Sequence, residues 1–256
     1  MRLKDKVALV TGASPNIGGG IAEGLAEEGA AIIAVDARAE NAADCARFIN
    51  GAGGKALAVT CDVTDEESCR AAVAEAVREL GGIDGLVYAT GIGPLVRLAD
   101  TDAETWRRTF DTNVIGASLI TAAALPHLDA SQGTAAYLSS ISASHTPPWP
   151  GLGAYAVSKA ALDKLVEAWR SEHPQIGFTR ITVGDCAGGE GDSMTGFNAD
   201  WDMDLMAEVA QTWVARDYLA GALLEVDELV RVVQSVMRLG SSASIPYVAV
   251  VPRRSG

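Results

Sequence analysis

The chain has 256 residues, 48% of them hydrophobic and 21% charged, so it can bury a large core and its composition excludes a disordered protein. Acidic residues outnumber basic ones 33 to 20, and the net charge of −13 disfavours nucleic-acid binding. No uninterrupted apolar run approaches the roughly 18 residues of a membrane span, so no membrane partner is expected. The four cysteines lack metal-ligand spacing, so we expect no metal site and reduced thiols in a cytoplasmic protein.

Short apolar runs alternate along the chain with longer segments of helical spacing. The predicted strands are 7–11, 31–35, 56–60, 85–88, 135–138, 179–183 and 245–251. The predicted helices are 17–28, 42–50, 66–80, 103–128, 154–171 and 226–239. This alternation is typical of a parallel sheet with right-handed crossovers. We therefore predict a single α/β domain over residues 1–256, with a doubly wound, Rossmann-like parallel sheet and helices on both faces.

The segment from Gly184 to about Asp217 is predicted to be irregular. It contains several glycines, two tryptophans and several acidic residues. Long irregular segments in compact domains often cover a ligand, so we predict a substrate loop near 184–217.

A glycine-rich turn follows the first predicted strand and leads directly into a predicted helix. Glycine lets the backbone approach a pyrophosphate, and the free amides at a helix N-terminus attract anions. The spacing is Gly-x5-Gly-x-Gly rather than the common Gly-x-Gly-x-x-Gly. The residues predicted to form this phosphate site are Gly12, Ser14, Asn16, Ile17 and Gly18.

An acidic residue, Asp36, follows the second predicted strand. A carboxylate at this position accepts hydrogen bonds from both hydroxyls of an adenosine ribose and repels a 2′-phosphate. The sequence therefore favours NAD over NADP. Arg38 lies two residues further on and would favour the phosphate, so NADP stays open as the less favoured cofactor.

Tyr155 and Lys159 share one face of a predicted helix because they are four residues apart. A phenol with its usual pKa of about 10 is too weak an acid to serve as a base at neutral pH. A nearby ammonium lowers that pKa strongly only when the pair is partly removed from water. The pair therefore predicts an acid/base site if it lies in a pocket, and an ordinary exposed helix if it does not.

Taken together, five motifs between residues 5 and 183 resemble the short-chain dehydrogenase/reductase family. They are the turn from Thr11 to Gly18, the adenine-contacting pair Asp62 and Val63, the helical Asn113, the serines 139 and 140, and Tyr155-x3-Lys159. Their common order and spacing are far more specific than any single motif.

The resemblance implies a role for each matching side chain. Tyr155 would be the general acid/base, and Lys159 would lower its pKa and hold the nicotinamide ribose. Ser140 would bind the substrate oxygen, and Asn113 would support a water chain to solvent. Alignment of the strand selects Ser140 as this serine, whereas a common family spacing of 13 residues before the tyrosine selects Ser142.

The chain departs from the family pattern at several positions. Asn16 replaces the middle glycine of the turn, and asparagine tolerates a left-handed backbone better than most residues. The family's Asn-Asn-Ala-Gly is replaced by residues 88–91, where Gly91 matches and Ala89 offers only backbone contact to the ribose. The Pro-Gly expected after the sixth strand is replaced by residues 184–187.

The sequence thus predicts an oxidoreductase that transfers a hydride between NAD(H) and a small secondary alcohol or ketone. The alternatives are an NADPH-dependent ketone reductase and a non-catalytic dinucleotide-binding regulator. Trp149, Trp201 and Trp213 either line the substrate pocket or pack in the core. The resemblance also implies a homotetramer or homodimer.

Overall fold

The computed structural model describes residues 2–186, 197–198, 200–218 and 222–253, and within these residues seven strands form one parallel sheet. The strands are Val7–Thr11 (β1), Ala31–Asp36 (β2), Lys55–Thr60 (β3), Gly85–Tyr88 (β4), Thr134–Ser140 (β5), Gly177–Val183 (β6) and Tyr247–Val250 (β7). Their order in the sheet is β3-β2-β1-β4-β5-β6-β7, and every neighbouring pair is parallel.

Helices connect successive strands. They are Ile17–Glu27 (α1), Ala39–Gly51 (α2), Glu66–Leu80 (α3), Ala103–Phe110 (α4), Gly116–Ser131 (α5), Ile141–Ser144 (α6), Gly153–Glu172 (α7), Met203–Ala215 (α8) and Val226–Met237 (α9). A π-helical turn, Asp111–Ile115, joins α4 to α5.

Alternate strand residues face opposite sides of the sheet, and each side carries its own core. On one side Leu9 packs with residues of α3, α5 and α7. On the other side Val10 packs with residues of α1, α2 and α9. Helices thus cover both faces of the parallel sheet, and the predicted doubly wound α/β fold is confirmed.

A helix lies within the described part of the predicted irregular segment. The sequence prediction is wrong for Met203–Ala215, which forms α8. The Asp202 side chain caps this helix by accepting hydrogen bonds from the backbone amides of Asp204 and Leu205, and Val209 and Trp213 are buried one turn apart. Residues 187–196 and 199 of the predicted substrate loop lie outside the described residues.

One helical stretch, Ala103–Ser131, is long and apolar enough by length and composition to cross a membrane, with a mean hydropathy of 1.3 over its most apolar window. The sequence predicts no membrane span, because polar residues interrupt the apolar residues of this stretch. Core helices of soluble proteins pass the same test, so this result is weak support for a span. Within the stretch, α5 buries Ile120, Ala124 and Leu128 against the core that it shares with α3.

Candidate functional site

A cavity of about 590 Å³ opens at the carboxyl ends of β1, β4, β5 and β6. The strand order reverses between β1 and β4, and open α/β sheets bind ligands in the crevice beside such a reversal. Its volume is typical of small-molecule sites. The predicted site residues that line it are Gly12, Ser14, Asn16, Ile17, Gly18, Asp36, Ala89, Gly91, Ser140, Tyr155 and Lys159.

The glycine turn brings the N-terminus of α1 against the end of β1. Gly12 has a φ of +65°, and a Cβ on it would lie 3.2 Å from Thr90 Cα. A Cβ on Gly18 would lie 1.8 Å from the Gly12 carbonyl oxygen. Ile17 and Gly18 begin α1, so their amides have no intrahelical acceptor. This backbone cradle fits a pyrophosphate, as the sequence predicts.

Asn16 has a backbone conformation that differs from the expected one. Its φ of 151° and ψ of −139° lie outside the compact left-handed region, in a region adopted almost exclusively by glycine. Its side-chain Oδ1 is buried and has no hydrogen-bond partner among the described residues. The turn therefore keeps a glycine-like shape at this position, with strain that a glycine would not carry.

Asp36 lies at the end of β2 and lines the cavity. Its Oδ1 accepts hydrogen bonds from the Arg38 backbone amide at 2.9 Å and from Asn41 Nδ2 at 3.0 Å. These contacts hold the carboxylate in place at the cavity wall. Arg38 is exposed and also lines the cavity, so both predicted determinants of cofactor choice reach the same space.

Asp62 and Val63 do not line the cavity. Asp62 is exposed, and its Oδ1 accepts hydrogen bonds from the backbone amide and hydroxyl of Thr64. Val63 is buried in the core beneath β3. Their predicted contact with adenine stays a prediction.

Asn113 lies in the π-helical turn and is fully buried. Its Nδ2 donates to the Ile92 carbonyl oxygen at 2.8 Å and to Ser158 Oγ at 2.9 Å. Its Oδ1 accepts from the Ile92 amide at 2.8 Å. Asn113 thus ties the chain after β4 to α7, and single π turns are frequent at functional sites. Its predicted support of a water chain stays a prediction.

Tyr155, Lys159 and Ser140 meet in the cavity. Lys159 is buried, donates from Nζ to the Leu138 carbonyl oxygen at 2.7 Å, and lies 5.8 Å from the centre of the Tyr155 ring. The Ser140 side chain is close enough to Tyr155 to lower the pKa of its phenol. Ser142 lies with its Oγ 2.9 Å from Ser140 Oγ. Of the two candidate serines, Ser140 is therefore the one in contact with Tyr155.

The ionisation of this pair differs from the sequence expectation. Burial raises the pKa of Tyr155 to about 12, and the nearby Ser140 side chain opposes this rise only in part. Burial outweighs any lowering of the phenol pKa here, and the expected contribution of Lys159 to that lowering stays a prediction. Burial also lowers the pKa of Lys159 to about 8. At neutral pH the phenol is protonated and the lysine is an ammonium.

Sequence reasoning missed Asp163. This carboxylate is buried one helical turn beyond Lys159 on α7, and its Oδ2 forms an ion pair with Arg180 at 3.0 Å. The Arg180 guanidinium in turn lies 4.4 Å from the centre of the Tyr247 ring. The negative charge of Asp163 raises the pKa of Lys159 against the effect of burial. The spacing of four residues indicates that Asp163 lies near Lys159 on the helix. The ion pair of Asp163 with Arg180 on β6 is seen only in the folded structure.

Comparison with known proteins gives a consistent result. A family model described as short chain dehydrogenase matches residues 6–202. A cis-4-hydroxycyclohexanecarboxylate dehydrogenase from Sinomonas cyclohexanicum is 34% identical over 242 residues, which are 87% of this chain and 95% of that protein. An uncharacterized oxidoreductase from Methylorubrum extorquens is 42% identical over 50% of this chain and 52% of its own length.

The matched part of the chain thus spans just over half the length of several curated relatives. Among solved structures, a short-chain type dehydrogenase/reductase from Mycobacterium marinum superposes with a TM-score of 0.83 at 28% identity. The superposition covers 97% of this chain and 95% of the other.

The Gly18→Ala substitution tests the cradle. We expect NADH to bind about tenfold or more weakly. The new Cβ would clash with the Gly12 carbonyl and push the N-terminus of α1 away from the turn, so the amides would no longer face the pyrophosphate. Isothermal titration calorimetry measures the affinity. Gly82→Ala is the control, since a Cβ there meets nothing within 4 Å. Equal NADH affinity in both variants would contradict the proposed cradle.

Proposed function

Since the chain belongs to the short-chain dehydrogenase/reductase family, we propose that it is an oxidoreductase that reduces a ketone to a secondary alcohol with NADH. One observation carries this proposal. Ser140, Tyr155 and Lys159 are neighbours in the same cavity that the glycine turn of α1 enters. A dinucleotide on the turn and a substrate beside Tyr155 would therefore share one space.

The chain's own residues supply a place for each part of the cofactor. The backbone from Gly12 to Gly18 would hold the pyrophosphate, and Asp36 would accept hydrogen bonds from the adenosine ribose. Lys159, which lines the same cavity, would donate to the nicotinamide ribose. The nicotinamide supplies the hydride when bound.

The raised pKa of Tyr155 favours the reductive direction. A phenol that is protonated at neutral pH can donate its proton to the substrate oxygen as negative charge develops there. The Ser140 hydroxyl donates a hydrogen bond to the same oxygen. The Lys159 ammonium then stabilises the phenolate that remains, and the attraction is stronger than in water because Lys159 is buried and Tyr155 is partly buried.

The Tyr155→Phe variant removes the proton donor and leaves the ring. We expect ketone reduction to fall by about 100-fold or more, the usual contribution of a positioned general acid. The rate is measured by NADH oxidation across a panel of ketones, and calorimetry checks that NADH still binds. Tyr247→Phe is the matched control, because Tyr247 is partly exposed and its hydroxyl contacts His145. Turnover unchanged by Tyr155→Phe would refute the assignment.

The pH dependence of kcat/KM tests the Lys159 ammonium. We expect kcat/KM for reduction to fall as the pH rises through about 8, because the buried lysine loses its proton there. Asp163→Asn removes a negative charge that raises this pKa, so the fall should move to lower pH. Asp44→Asn, on the exposed surface of α2, should leave the profile unchanged. A profile that stays in place or moves upward in Asp163→Asn would contradict this role.

Cofactor preference tests Asp36. We expect NADH to bind about tenfold or more tightly than NADPH, because the carboxylate repels a 2′-phosphate. Asp36→Asn should narrow this difference, and Glu40→Gln on the exposed start of α2 should not. Fluorescence titration of both coenzymes measures the ratio. Tighter NADPH binding by the unaltered protein would overturn the NAD assignment and identify Arg38 as the dominant determinant.

A further inference from the structure

Aromatic side chains enclose the end of the cavity beside Tyr155. The Phe197 ring meets the Tyr155 ring edge-on at 5.0 Å between centres, and Trp201 lies 5.6 Å from Phe197. Trp149 lines the same cavity and contacts Trp213 at 5.2 Å. We name Trp149, Phe197 and Trp201 the aromatic wall. Its position next to the predicted proton donor makes it the surface that a substrate would contact.

Hydrogen bonds and close packing hold the aromatic wall in place. A Cβ on Gly93 would lie 2.2 Å from the Phe197 ring, so the missing side chain at this position leaves room for the ring. Trp201 Nε1 donates to the Gly93 carbonyl oxygen at 2.8 Å, and Trp149 Nε1 donates to Thr146 Oγ1 at 3.3 Å. Both indole N–H groups are thus occupied by the protein, and the ring carbons remain for contact with a ligand.

The charges around the aromatic wall do not suit an anion. Among the described residues that line the cavity, the basic ones are Arg38, beyond the end of β2, and Lys159, whose Nζ binds the Leu138 carbonyl. The described lining also includes the acidic residues Asp36 and Asp185, and Asp200 and Asp202 flank Trp201 in the chain. A carboxylate on the substrate would lose its hydration here and gain no cationic partner.

From these observations we propose that the aromatic wall selects an uncharged, ring-bearing ketone or alcohol and discriminates against one that carries a carboxylate. The inference rests on the proposed reductase activity and adds the substrate class to it. Flat aromatic faces pack well on a saturated or aromatic ring, and the acidic surroundings repel anions. The Sinomonas relative is named for a substrate that carries a carboxylate. The proposal for this chain is a substrate without one.

A matched pair of substrates tests the charge discrimination directly. Methyl 4-oxocyclohexanecarboxylate and 4-oxocyclohexanecarboxylate share the ring and the ketone and differ in charge. We expect kcat/KM for the ester to exceed that for the acid by about tenfold or more, in line with the rejection of mismatched polarity by apolar pockets. Equal or better use of the acid would overturn the proposal.

Two variants separate the contribution of the rings from that of charge. Trp201→Leu should lower kcat/KM for the ester by about tenfold while changing that for 2-butanone much less, because only the larger ring reaches the wall. Leu223→Lys places an ammonium on a cavity-lining side chain that is 60% exposed, so it should improve the use of the acid relative to the ester. Phe48→Leu, on the exposed surface of α2, is the control for both.

Binding measurements distinguish failure of this inference from failure of the proposed function. Isothermal titration calorimetry of the ester and of the acid measures binding without turnover, and Trp201→Leu shows whether the heat of binding depends on the aromatic wall. Tighter binding of the ester than of the acid supports the inference even if no ketone is reduced, an outcome that would refute only the reductase activity. Reduction of both compounds with equal kcat/KM would support the activity and refute the substrate class.

Discussion

A charged lysine that is buried in a protein needs neighbouring groups that stabilise its ammonium. In this protein the groups around Lys159 meet that need, and the rest of the site is arranged around them. Burial lowers the Lys159 pKa from 10.5 to about 8, a cost on the order of 3 kcal/mol for keeping the ammonium. The Leu138 carbonyl oxygen on β5 accepts a hydrogen bond from the Lys159 ammonium, and Asp163 supplies a nearby negative charge. Asp163 is held by Arg180 on β6. The charge state of the lysine therefore depends on the packing of α7 against two strands.

The same packing explains why Tyr155 is suited to donate a proton rather than to accept one. Tyr155 lies one turn before Lys159 on α7 and is partly buried, and desolvation raises its pKa more than Ser140 lowers it. A neutral phenol beside a charged ammonium is the arrangement that stabilises the products of proton transfer to a ketone. Burial thus keeps the phenol in the protonated form that the proposed reduction would use.

The cavity is lined by two kinds of surface, exposed backbone at one end and aromatic rings at the other. At the switch point of the sheet, Gly12 and Gly18 expose backbone, which suits a phosphate ligand. At the other end, the aromatic wall exposes ring faces and its polar atoms are bonded to the protein. In the proposed function, cofactor binding and substrate selection therefore rest on different elements. The cradle comes from β1 and α1, and the wall comes from the loop after α6 and the chain that leads into α8.

The amino-acid sequence by itself determined the alternating strands and helices, because buried parallel strands and their crossover helices have local hydrophobic periods. It also located the glycine turn, Asp36 and the Tyr155–Lys159 pair, whose spacing is local. The sequence did not predict α8, because the residues from 184 to the Asp202 cap are rich in glycine and acidic residues. Only the tertiary structure decided the ionisation of Tyr155 and Lys159, the partnership of Asp163 with Arg180 and the approach of Phe197 to Tyr155. Desolvation and contacts between residues distant in the chain arise only once the sheet and helices have packed together.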